Sequence, residues 1–140
     1  MSRDADKPTG ARTSRQEAGD AAEVLVAERL AALGWTILAR NVHAGRSELD
    51  IVAVDPGPPA RLVVVEVRWR RSRDFGLPEE TLDHAKRAMV RRGVARLLEC
   101  GALPDGSQLP HLPIAVDLAV VEPGLGGGPS ARLYRNALAD

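Results

Sequence analysis

Apolar residues Ala22, Val26, Leu30 and Leu33 recur at intervals of three and four, the spacing that gathers side chains on one face of a helix. Gly34 follows them, where a helix end favours glycine, so a first helix is predicted from about Ser14 to Leu33. The period then changes. "WTILARN" (Trp35 to Asn41), "ELDIVAV" (Glu48 to Val54) and "RLVVVEVRW" (Arg61 to Trp69) are rich in β-branched and apolar residues and read as strands. "HAGRS" (His43 to Ser47) turns between the first two, and the prolines and glycine of "DPGPPA" cannot continue a ladder between the second and third. The result is a three-strand meander. Pro78 with Glu79 and Glu80 suits a helix start, and Leu82, Ala85, Met89, Val90, Leu97 and Leu98 fit a second helix closed by Gly101. A loop with Pro104, Pro110 and Pro113 leads to the strand "IAVDLAVV", the turn "EPGLGGGPS" and "ARLYRN", which reads as a last edge strand. The order of helix, three strands, helix, then one or two strands predicts an α/β domain with a mixed sheet covered by helices. A chain of 140 residues suits one such domain, here 14–140, preceded by a flexible polar tail at 1–13.

Composition narrows the function. No apolar stretch is long enough for a membrane span, and "MSRDADKPTGAR" lacks the apolar run of a signal peptide, so a soluble, cytoplasmic protein with no membrane partner is expected. Cys100 is the only cysteine, and His43, His84 and His111 lack metal-ligand spacing, which argues against an internal disulfide and a zinc site. The four aromatic residues Trp35, Trp69, Phe75 and Tyr134 leave little for a base-stacking sheet. The zero net charge hides an asymmetry: Arg61 to Arg96 holds ten Lys and Arg against five Asp and Glu, and the rest of the chain nine against fourteen. "RWRRSR" (Arg68 to Arg73) and then Lys86, Arg87, Arg91, Arg92 and Arg96 suit a phosphate backbone. A solvated basic face accounts for the same pattern.

The acids of the meander call for a different explanation. Glu66 and Arg68 are two apart, so a strand projects both from the face that carries Leu62 and Val64. With a loop of five residues from Pro56 to Ala60, Asp55 pairs with Arg61, Asp50 stands opposite Glu66, and Glu48 stands opposite Arg68. Directly opposed like charges destabilise a sheet, and a divalent ion such as Mg²⁺ or Mn²⁺ would relieve them. A loop one residue longer or shorter would put Asp50 and Glu66 on opposite faces. Glu23 lies on the helix side of Val26, Ala27 and Leu30, either pointing a charge toward the sheet or pairing with an arginine at the edge of the stripe. An ion pair of Glu66 with Arg68 would leave Asp50 unexplained.

The stretches "AGDAAEVLVAERLAALGWTILARNVHAGRSELDIVAV" and "LVVVEVRWRRSRDFG", with Lys86, "VDLAVV" and the final "RNAL", resemble the YraN family of uncharacterised bacterial proteins. That family's pattern combines a Gly-Asp/Glu-x-x-Glu helix, "RN", Gly-Glu-Ile-Asp, and Glu-Val-Lys or a close variant. The resemblance implies a restriction-endonuclease-like PD-(D/E)XK fold, a distant relation to archaeal Holliday-junction resolvases, and a nuclease or nucleic-acid-binding role. It makes Asp50 the motif aspartate, Glu66 the glutamate of Glu-x-Lys, Glu23 the acid of the first helix and Lys86 the basic residue of the second. Two positions depart from the pattern: Ser47 replaces the turn glycine, and Arg68 stands where the motif has lysine. Arginine keeps its proton and cannot be a general base, although it can hold a phosphate.

The sequence therefore leads to a metal-dependent nuclease acting on DNA, branched or damaged DNA in particular. Asp50, Glu66 and Glu23 would hold Mg²⁺ or Mn²⁺, with Glu48 as an accessory acid and Arg68 on the phosphate. Arg70, Arg71, Arg73, Lys86, Arg87 and Arg91 would follow the backbone. Resolvase relatives are dimers, so a homodimer belongs to this expectation. The alternative is a catalytically inactive nucleic-acid-binding or adaptor protein of the same fold. A third reading, an interaction domain unrelated to nucleic acid, leaves the basic cluster without a purpose.

Overall fold

The structure, a computed structural model, describes residues 14–70 and 83–138. Helix α1 (Ser14–Ala32) leads into strands β1 (Thr36–Ala44), β2 (Ser47–Asp55) and β3 (Arg61–Trp69), then helix α2 (His84–Cys100) and strands β4 (Ile114–Pro123) and β5 (Pro129–Tyr134). The strands form one five-stranded sheet in the order β1-β2-β3-β4-β5. The β3–β4 pairing is parallel and the other three are antiparallel. The predicted order holds, with two strands after α2.

Each helix covers one face of the sheet. Ala22, Val26 and Leu30 of α1 pack with Trp35 on Ile51, Ala53, Val63, Val65, Ala119 and Val121. On the other face Val90 and Leu97 of α2 meet Val42, Leu49, Val52, Leu62, Val64 and Val116. Strand β3 is thus buried on both faces, which is why it reads as a nearly unbroken valine run and not as an alternation. Two expected positions differ. Leu33, read as part of the α1 stripe, lies past the helix end and is 72% exposed; Trp35, whose N–H donates to the Leu30 carbonyl, fills the core there. Helix α2 begins at His84, where extended Asp83 accepts from the Lys86 N–H, and Asp83 is a stronger capping side chain than the proline signal further upstream. Pro78, Glu79, Glu80 and Leu82 lie outside the described residues, as does the tail at 1–13. Gly101 ends α2 with φ 71° as expected. Among the described residues no helix is long and apolar enough to cross a membrane.

Helix α2 sits unusually close to β2. A Cβ on Gly93 would stand 2.8 Å from Ser47 Cβ and 3.0 Å from Leu49 Cδ2, so only glycine permits the approach. Ser47 Oγ donates to the Met89 carbonyl at 2.7 Å and ties the start of β2 to the helix. On the α1 face the chain end is fastened by charge. Arg135 Nη2 lies 2.7 Å from Asp55 Oδ2, its Nε lies 2.6 Å from Asp117 Oδ2, and its guanidinium lies 5.4 Å from the Trp35 ring centroid. The Asn136 N–H donates to Asp117 Oδ1.

Candidate functional site

Strands β2 and β3 pair from Asp55↔Arg61 to Ile51↔Val65, the register that a five-residue loop requires. One step further Asp50 meets Glu66, and the backbone ladder stops. Side chains continue it: the Asp50 N–H donates to Glu66 Oε2 at 3.2 Å, and the Val67 N–H donates to Asp50 Oδ2 at 2.8 Å. Strand β2 also breaks its alternation here. Leu49 and Ile51 are two residues apart and both fully buried, yet Leu49 belongs to the α2 cluster and Ile51 to the α1 cluster. A regular strand would put both on one face. Asp50 therefore sits at a kink where two strands part, and its carboxylate and that of Glu66 replace the missing main-chain partners.

Each of these bonds takes one carboxylate oxygen, and Asp50 Oδ1 and Glu66 Oε1 take no part in them. Glu66 is 1% exposed and its Oε1 has no hydrogen-bond partner among the described residues. The ammonium of Lys86, in the first turn of α2, lies 3.6 Å from that oxygen. Burial, and then the charge of Asp50, push Glu66 up to about 7 against the pull of Lys86. Burial raises Asp50 as well, against the Val67 N–H and the charge of Lys86.

The other candidate residues are distributed as follows. Glu23 of α1 pairs with Arg40 Nη2 at 3.4 Å; burial and then Asp50 push it up to about 7, so it feels the acid pair while being held by an arginine. Glu48 does not face Arg68, because the β2–β3 ladder has ended; it stands opposite His43 of β1, with 3.7 Å between Oε2 and Nε2. Arg68 is half-buried on β3 beside the pair, and its charge acts on Asp50. Arg70 donates its N–H to the Val121 carbonyl, and its Nη2 is buried with no hydrogen-bond partner among the described residues. Arg71 and Arg73 lie outside the described residues. Arg91 Nη2 donates to the Leu138 carbonyl at 2.8 Å, and Arg87 stands four residues before it on that side of α2. Arg92 and Arg96 line a cleft beside the β1–β2 turn, so the basic residues of α2 are divided between two sides.

Among the described residues no three of His, Cys, Asp and Glu stand close enough to share a metal ion. Two carboxylates suffice for Mg²⁺, which keeps several waters and takes one or two carboxylates with a substrate phosphate. The Asp50–Glu66 pair, with one buried oxygen lacking a partner, fits that donor set and not an all-protein cage. Sequence reasoning missed the contact of Lys86 with Glu66, because no local spacing links a helix residue to a strand twenty positions earlier. It also missed Asp117 and Arg135, whose only signal was their place in "VDLAVV" and "RNAL".

A mixed α/β sheet with a half-buried aspartate beside a buried glutamate at a strand break defines the class of protein. The chain belongs to the family described as Uncharacterised protein family UPF0102, the YraN family, which matches residues 22–121. That segment holds Glu23, Asp50, Glu66, Arg68 and Lys86 and ends before Arg135. The chain is 41% identical over 119 residues to a UPF0102 protein of Symbiobacterium thermophilum, covering 85% of this chain and 93% of that protein. It is 37% identical over 117 residues to one from Roseiflexus castenholzii, covering 84% and 86%. It is 44% identical over 94 residues to one from Acidothermus cellulolyticus, covering 66% and 69%.

Proposed function

We propose that this protein is a metal-dependent nuclease that cleaves phosphodiester bonds in DNA, with branched or damaged DNA as its substrate class and the cytoplasm as its place of action. The observation that carries the reading is the Asp50–Glu66 pair: a half-buried and a fully buried acid at a strand break, each fixed through one oxygen by a main-chain N–H. Asp50 and Glu66 would hold Mg²⁺ or Mn²⁺, and Glu23 would act on the pair through its coupling to Asp50. Once bound, such an ion lowers the pKa of an attacking water and offsets charge on the phosphate.

The side chains around the pair take the remaining roles. Lys86 brings an ammonium to Glu66 Oε1, which favours the ionised, ligating form of that acid. Arg68 binds the scissile phosphate and stabilises charge as it develops, and Arg70 extends the contact along the backbone. Two copies of the chain would offer two such sites to the paired strands of a branched substrate, which makes a homodimer part of the proposal.

Purified protein incubated in Mn²⁺ with nicked, flapped and four-way DNA is expected to cut at least one of them, and Asp50→Ala and Glu66→Ala proteins to cut none. Cleavage that persists unchanged in both variants would refute the assignment. The second reading, a nucleic-acid-binding protein without turnover, is favoured by Arg68 at the lysine position. It calls for DNA binding that weakens with salt, survives EDTA, and is never followed by cleavage.

A further inference from the structure

We infer that the cleft between the β1–β2 turn and the far end of α2 is a second phosphate-binding site, which seats the backbone of a double-stranded DNA arm away from the acid pair. The inference rests on the nucleic-acid reading above. Arg46 of the turn and Arg92 and Arg96 of α2 line this cleft, whose volume is about 710 Å³. All three are exposed, and none has an ion-pair partner among the described residues, although Glu99 lies at the same cleft. Arg92 and Arg96 are four apart on a helix, a like-charge spacing that is destabilising by itself. A third arginine facing them adds to that repulsion. An anion in the cleft would offset it.

The walls are fixed before any ligand arrives. Gly93 lets α2 settle on Ser47 and Leu49, the Ser47 hydroxyl holds the Met89 carbonyl, and the Arg96 stem packs 3.8 Å from where a Gly45 Cβ would stand. Gly45 itself turns at φ 64°, a conformation that glycine adopts without strain. The arginine heads thus project from a rigid base, which lowers the cost of ordering them on a ligand.

Helix α2 relates this cleft to the acid pair. It starts with Lys86 against Glu66 and reaches Gly45 with Arg96, ten residues later, which is about 15 Å along a helix axis. A duplex lying along α2 would cover that distance in about four base pairs, at 3.4 Å each. The separation suits a continuous backbone better than one small anion. Contacts of this kind carry no base information; they set where the acid pair falls on the strand.

The test is fluorescence anisotropy of the full chain with a 20-base-pair duplex in EDTA over a series of salt concentrations. Three lost contacts at about 0.9 each should make the log K against log salt slope of the Arg46→Ala/Arg92→Ala/Arg96→Ala protein shallower by roughly 2 to 3. The matching triple lysine protein should keep most of the slope, and Arg29→Ala, on α1 at the opposite face of the sheet, should leave it unchanged. Wild-type binding with an unaltered slope in the triple alanine protein overturns the cleft and leaves the acid pair standing. A wild-type protein that binds no duplex at all overturns the nucleic-acid reading and the cleft with it.

Discussion

Glu66 carries the strongest chemical conflict in the chain, an acid that is 1% exposed and faces a second acid. In the unfolded chain it ionises near 4.5, and in the folded one only at about 7. Between those values unfolding releases a proton, so this group's contribution to stability is complete below about 4.5 and is lost as pH rises through 7. Glu23, also at about 7, acts with the same sign. Thermal unfolding in EDTA should therefore show the wild type losing stability from pH 5 to 8, and Glu66→Gln losing less. Above pH 7 the variant should be the more stable protein, by on the order of 1–2 kcal/mol or a few degrees of Tm. Parallel pH profiles would show that Glu66 is ionised without cost. Lys86 can be tested on the same residue: Lys86→Met removes the cation that opposes the shift, so the acid-side stabilisation should persist to higher pH. The acids were legible in the sequence as charges within apolar strands. Their partners were less so, since Lys86 and Arg40 reach them only through the packing of helix on sheet.

At the scale of elements, the site depends on β2 ending its pairing with β3 at Ile51 and on α2 pressing against β2. The strand register was readable only on the condition of a five-residue loop in "DPGPPA", from which Asp55↔Arg61 follows, and that pairing is the one formed. The kink at Asp50 was not, since both Leu49 and Ile51 are apolar and only their packing distinguishes the two faces. The position of Glu48 followed the same error: a ladder extended past the kink puts it opposite Arg68, whereas its partner is His43. Gly93 is the residue that fixes helix against strand. Alanine there gains roughly 1 kcal/mol of helix propensity but forces a Cβ to 2.8 Å from Ser47, and overpacking of that kind costs about 1–3 kcal/mol. Chemical denaturation of Gly93→Ala should show a net loss of about 1–2 kcal/mol, with weaker duplex binding through the displaced Arg92 and Arg96. Equal stability would mean that α2 moves away freely, and the cleft would then have no rigid base.

At the scale of the molecule, the two faces of the sheet have different tasks. The α2 face carries Glu66 with Lys86 and the arginine cleft, while the α1 face carries Arg135 clasped between Asp55 and Asp117. Removing one partner of a buried ion group leaves the others uncompensated. Arg135→Met should therefore cost about 2–3 kcal/mol in equilibrium unfolding, a figure reduced because the arginine side chain is 38% exposed. Its metal affinity should match that of the wild type, since among the described residues the clasp shares no hydrogen bond or ion pair with Asp50 or Glu66. The central claim is that Asp50 and Glu66 form one metal site, and calorimetric titration of Mn²⁺ at pH 8 addresses it most directly. The wild-type protein should bind Mn²⁺ saturably, and Asp50→Ala and Glu66→Ala should each abolish that binding while remaining folded. No binding to the wild type, or equal binding to all three proteins, would contradict the claim.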